Sequence, residues 1–244
     1  MGFFKKMMAA VGVGAARVDA RLHRNAVRVG DELQGVVVVT GGSVEQRIER
    51  LNLGLTTRFR GDDEYVVHTL FSLPVVSGFD IRPGEVREFL FRLPVPQGTP
   101  LTVRGTDVWL VTDADIAGGV DPGDTDPVQV LPDAARGTVI EAAQRLGFVL
   151  SGSEVEFHRG HLVQELSFRP PSGQYRLTEL ELLMLPAHGG LDVILEVDRR
   201  ATGMASLFTS EFETKGRWFV SDAQLAQGPD LLAHELAERV RRLS

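Results

Sequence analysis

Apolar and polar residues alternate in short runs along most of the chain, the period expected of half-buried β-strands. The first run is Ala16–His23, where Val18, Ala20 and Leu22 alternate with Asp19 and Arg21. Val27–Leu33 turns into Gln34–Thr40, and the β-branched run Val36–Val39 predicts a strand buried on both faces or nearly so. Arg47–Arg60 predicts a long strand whose apolar positions are Ile48, Leu51, Leu53 and Leu55. Gly61-Asp62-Asp63 reads as a polar hairpin turn, and Tyr65–Pro74 returns from it. Pro83-Gly84 predicts a type II turn, because proline presets φ at its first central position and glycine supplies the positive φ at its second. Arg87–Leu93 and Thr102–Asp113 follow as strands. Asp113–Asp133 is crowded with aspartates and with Pro122, Pro127 and Pro132, which reads as a linker or an edge loop.

The period then changes. Val139, Ile140, Ala143 and Leu146 are helically spaced, and Gly147 suits the position after a helix end. Strands resume with Phe148–Phe157 and His161–Phe168, then Leu177–Leu185 and Leu191–Arg199, then Leu207–Thr214 and Arg217–Val220. That strand density predicts a second β-sandwich. The chain closes on a predicted helix. Pro229 suits its first turn, Leu232, Leu236, Val240 and Leu243 form one stripe, and Arg239, Arg241 and Arg242 favour its negative C-terminal end. The expected organisation is mainly β: an amphipathic segment over 1–15, sandwiches over 16–131 and 132–228, and an amphipathic helix over 229–244.

Residues Phe3, Phe4, Met7, Met8 and Val11 have helical spacing around Lys5 and Lys6. This predicts a short amphipathic segment that docks on the body of the protein, on a partner or on a membrane surface. Its charges follow the phenylalanines and its apolar part is broken by glycine, which is not a signal-peptide plan. Lys6 occupies the position where a myristoylation pattern requires Ser or Thr. The candidate contact residues are Phe3, Phe4, Lys5, Lys6, Met7 and Met8.

Composition narrows the chemistry. The 244 residues contain no cysteine, which excludes disulfides, thiolate metal sites and a cysteine nucleophile, and fits a reducing cytoplasm. The formal net charge of −7 lacks the basic surplus that phosphate binding needs, so no nucleic-acid partner is expected. No apolar run reaches the roughly 20 residues of a membrane span. Gly12-Val13-Gly14 begins a dinucleotide-type glycine string, but Arg17 stands at its third glycine. His158 and His161 bracket a hairpin and lack a carboxylate to complete a metal set. The carboxylates of Asp121–Asp126 lack the spacing of a calcium loop. The residues therefore predict no catalytic site, no cofactor and no metal.

Two turn-and-strand units share one plan: Val29-Gly30-Asp31-Glu32-Leu33 leading into Val36-Val37-Val38, and Pro83-Gly84-Glu85-Val86 leading into Phe89-Leu90-Phe91. Together with Val18-Asp19-Ala20-Arg21-Leu22, Gly118-Gly119-Val120-Asp121-Pro122, Gln164–Pro170 and Leu195–Arg200, they resemble arrestin-like proteins, and among these the bacterial sporulation-control proteins of the M type. Val29 departs from that pattern, in which proline is common. The resemblance implies two arrestin-like β-sandwiches and a non-catalytic adaptor in sporulation, cell-cycle or developmental control. Arrestin-like proteins hold charges where their domains meet, which makes Asp198, Arg199 and Arg200 a candidate polar contact. The expected partner is another protein, with a homodimer through an open sheet edge as a further arrangement. The alternatives are a membrane-surface scaffold standing on the N-terminal segment and an enzyme with an atypical carboxylate site.

Overall fold

A computed structural model describes residues 14–61, 64–117, 119–158, 160–197 and 216–243. The protein is mainly β. The chain divides into two compact units. The first contains residues up to Arg58, Val67–Thr102 and Asp107–Leu131; the second contains Phe59–Val66, Val103–Thr106 and the chain from Pro132 onward.

The first unit has a three-stranded antiparallel sheet ordered β1 (Arg17–Leu22), β3 (Glu32–Thr40), β6 (Val86–Pro94). A second sheet pairs β4 (Gln46–Arg60) with β5 (Tyr65–Ile81) and β7 (Val108–Ile116), and β7 with β8 (Gly123–Pro127). The short strands β2 (Ala26–Arg28) and β9 (Gln129–Leu131) pair in parallel. The valine run of β3 is buried at Val37, Val38 and Val39. In β4 the apolar spacing jumps from Ile48 to Leu51, and a β-bulge at this point absorbs the extra residue and keeps both side chains in the core.

The two look-alike turns close in the same way. Asp31 N–H donates to Arg28 C=O at 3.1 Å with Gly30 at φ 87°, and Glu85 N–H donates to Arg82 C=O at 3.0 Å with Gly84 at φ 71°. A Cβ on Gly84 would meet nothing, whereas one on Gly30 would lie 2.6 Å from the Gln97 side chain.

Two stretches differ from the sequence expectation. The strand expected to end at Pro74 runs on to Ile81 as β5. Proline lacks a backbone donor and is accepted on an edge strand, where no neighbour requires one. The acidic tract expected as a linker or loop contains the end of β7 and all of β8 and β9. Its carboxylates bond backbone N–H groups: Asp121 Oδ1 accepts from Ile116 at 2.9 Å, and Asp124 Oδ2 accepts from Ala20 on β1 at 3.0 Å. Val128 and Val130 anchor the tract in the core.

In the second unit, strands β10 (Val149–His158), β11 (His161–Arg169), β12 (Leu180–Ala187), β13 (Gly190–Val197) and β14 (Arg217–Ser221) form an antiparallel sheet in sequence order. Helix α1 (Ala134–Arg145) starts on Asp133, whose carboxylate accepts from Arg136 N–H at 2.8 Å. It ends in a Schellman arrangement: Gly147 at φ 85° donates to Gln144 C=O, and Phe148 donates to Ala143 C=O. A one-turn helix α2 (Asp222–Ala226) opens on a capping box between Ser221 and Gln224. Helix α3 (Pro229–Leu243) buries Leu232, Ala233, Leu236, Ala237 and Val240 and packs on α1 and β13. The apolar stripe of the C-terminal helix is thus covered by its own unit.

Candidate functional site

Because neighbours on an antiparallel ladder share a face, the register sorts the second unit's sheet into two sides. One side carries Leu166, Phe168, Leu182, Val193, Leu195, Trp218 and Val220, all buried. Helices α1 and α3 pack against this sheet. The Trp218 indole N–H donates to Glu235 of α3 at 3.2 Å, and the Arg239 guanidinium stacks 5.2 Å from its ring.

The other side is different. Glu154 of β10 pairs in register with Glu165 of β11, and Glu156 with Val163. Glu165 lies opposite Leu183 of β12, Ser167 lies opposite Glu181, and Glu181 lies opposite Glu196 of β13. Five glutamates from four strands therefore share one face with a small buried cluster of Val163, Leu183 and Ile194. Some acids on this face have arginine partners. Glu154 pairs with Arg60 at 3.0 Å and Asp192 with Arg217 at 2.8 Å.

Glu165 has no such partner. Its residue is 8 % exposed, and among the described residues no hydrogen bond or ion pair reaches its carboxyl. Burial pushes this carboxyl up to about 8, and the charges of Glu181, Glu196, Glu154 and Glu156 push in the same direction. At neutral pH it holds a proton. Glu165 lines a cleft of about 570 Å³ together with Glu154, Glu179, Glu181 and the side chains of Ser151 and Ser167. Arg104 and Arg169 stand exposed at the same cleft.

In the first unit, β5 is the notable surface. Among the described residues its hydrogen-bonded neighbour is β4. From Val67 to Val76 it mixes exposed positions with half-buried ones and has no fully buried residue, and Val67 is 70 % exposed. An edge strand of this length presents backbone donors and acceptors to an incoming strand.

The residues picked out from the sequence lie elsewhere. Phe3, Phe4, Lys5, Lys6, Met7 and Met8, and likewise Asp198, Arg199 and Arg200, lie outside the described residues. His158 and His161 are in register at the end of the β10–β11 hairpin. Among the described residues, no three His, Asp or Glu side chains converge as a metal would require. Glu165 was missed because its local sequence is an ordinary strand; the signal was the alternation of glutamate with aliphatic residues in four successive strands.

Comparison with known proteins supplies the lineage. The family model described as SpoOM protein matches residues 4–201. The chain belongs to this family. It is 43% identical over 215 residues to the sporulation-control protein Spo0M of Bacillus subtilis (strain 168), covering 84% of this chain and 83% of that one. The crystal structure of Spo0M from Bacillus subtilis superposes with a TM-score of 0.81 at 37% identity, covering 95% of this chain and 100% of that one. This likeness to a sporulation-control protein supports a regulatory role in sporulation. No helix among the described residues is long and apolar enough to cross a membrane.

Proposed function

We propose that this member of the family is a non-catalytic cytoplasmic adaptor that regulates sporulation by binding other proteins. The observation that carries the reading is β5: a 17-residue strand paired with β4 and holding a proline and exposed apolar side chains. Its occupant in this proposal is an extended segment of a protein partner, added as a further strand from Val67 onward. Main-chain hydrogen bonds would supply affinity, and alternate side chains specificity. The N-terminal stripe Phe3–Met8 stays in the proposal as a further partner contact.

Site-specific photocrosslinking in sporulating cells tests this. A photoreactive residue at Val67 or Ser72 on β5 is expected to give a discrete adduct with another protein. The same residue at exposed Arg241 on α3 serves as control. Equal adduct patterns from β5 and from α3 would remove the edge as the binding site. The same residue placed at Phe4 tests the N-terminal contact, which is dropped if it gives no adduct.

A further inference from the structure

We propose that the glutamate cleft of the second unit is a binding site for an organic cation with several N–H donors, a guanidinium or a polyamine, whose leading nitrogen docks on Glu165. The proposal is independent of strand addition at β5. Two observations point to a ligand. Several carboxylates gather at one cleft, and the most buried of those lining it, Glu165, faces the cleft with no donor and no cation among the described residues to meet it. A buried carboxyl left in that state costs free energy that a bound donor would recover.

The spacing selects the kind of cation. A metal ion draws its ligands onto one point, and no three acidic or histidine side chains among the described residues do so. The carboxylates instead stand on successive strands, which lie about 4.8 Å apart. Acceptors set out in such a row suit a ligand whose N–H donors are spread over a fork or a chain. Guanidinium presents five donors in a plane and takes carboxylates two bonds at a time. The Ser151 and Ser167 hydroxyls add neutral acceptors at the same cleft.

The other charged groups around Glu165 set the proton balance. Glu154 and Glu156 face it from β10, Glu181 from β12 and Glu196 from β13. All of them disfavour its ionisation. The exposed Arg104 and Arg169 stay solvated at the cleft and do not pair with it. An incoming cation reverses this balance. Glu165 becomes a carboxylate, and its proton leaves to the buffer.

Calorimetry on the full chain at pH 7, in two buffers of different ionisation enthalpy, tests the proposal. Spermidine probes a free polyamine, and the peptide amide Gly-Arg-Gly probes an arginine presented by a protein. Binding of either, with close to one proton released per site, supports the proposal and identifies the source. Glu165→Gln has the shape of the protonated acid and is expected to fold, to bind at least about tenfold more weakly and to release no proton. Absence of binding by both probes would overturn the proposal. So would equal binding by the variant, binding without proton release, or displacement of the probe by equimolar Mg²⁺.

Discussion

The two faces of the second unit's sheet are built from alternate residues of the same strands, yet they are finished differently. On the helix side nearly every group has a counterpart: aliphatic side chains meet α1 and α3, and the Trp218 indole meets Glu235 and Arg239. On the glutamate side the acids Glu154 and Asp192 have arginines, while the more buried Glu165 has none among the described residues. The contrast separates two kinds of selection on one sheet. The helix-side packing holds the fold, whereas Glu165, buried without a counterpart among the described residues, costs the fold free energy and is where the proposed cation docks.

The largest expected effect is on the complete face. Trp218→Ala removes a fully buried ring and its bond to α3, and should cost about 3–5 kcal/mol in denaturant unfolding. A loss below about 1 kcal/mol would show that α3 is not held by this side chain.

The next effect has the opposite sign and depends on pH. The folded Glu165 carboxyl titrates near 8, above its ordinary value of 4.5. The folded protein therefore binds more protons than the unfolded chain between these values, and stability falls as pH rises through that window. Glu165→Gln removes the penalty. It should be more stable than the parent by about 2–4 kcal/mol at pH 8.5 and nearly equal to it at pH 5. A difference that did not change with pH would break the contrast between the faces.

The smallest effect sharpens the complete side. Ser221→Ala breaks the capping box that opens α2 and should cost about 1 kcal/mol, with no dependence on pH between 5 and 8.5. Unchanged stability would show that this cap contributes nothing to holding the face.

Much of this architecture is legible in the sequence. Alternation found the strands on either side of the turns at Gly160 and Gly189, whereas the expected strand Leu207–Thr214 lies outside the described residues; the jump from Ile48 to Leu51 carried the bulge within β4, and Gly84 and Gly147 marked positions of positive φ. Leu232, Leu236 and Val240 gave the buried stripe of α3. The acidic tract was misread for a physical reason. Aspartate and proline favour turns locally, but Asp121 here satisfies a backbone donor at the end of β7 and Asp124 one on β1, 104 residues away in sequence, which a local reading does not see. Strand β5 was cut short at Pro74 because a proline argues against a central strand, and only the pairing shows it to be at an edge. Glu165 was hidden for a related reason. Each glutamate looks solvent-facing in its own strand, and their convergence exists only once four strands are in register.

The measurement that bears most directly on the central claim is an NMR titration of the Glu165 side-chain carboxyl carbon, with and without spermidine or the arginine peptide. The account predicts a midpoint near 8 for the protein alone and a clear fall toward the ordinary carboxylate range when the cation binds. A midpoint near 4.5 in the free protein, or one near 8 that no cation moves, would contradict it.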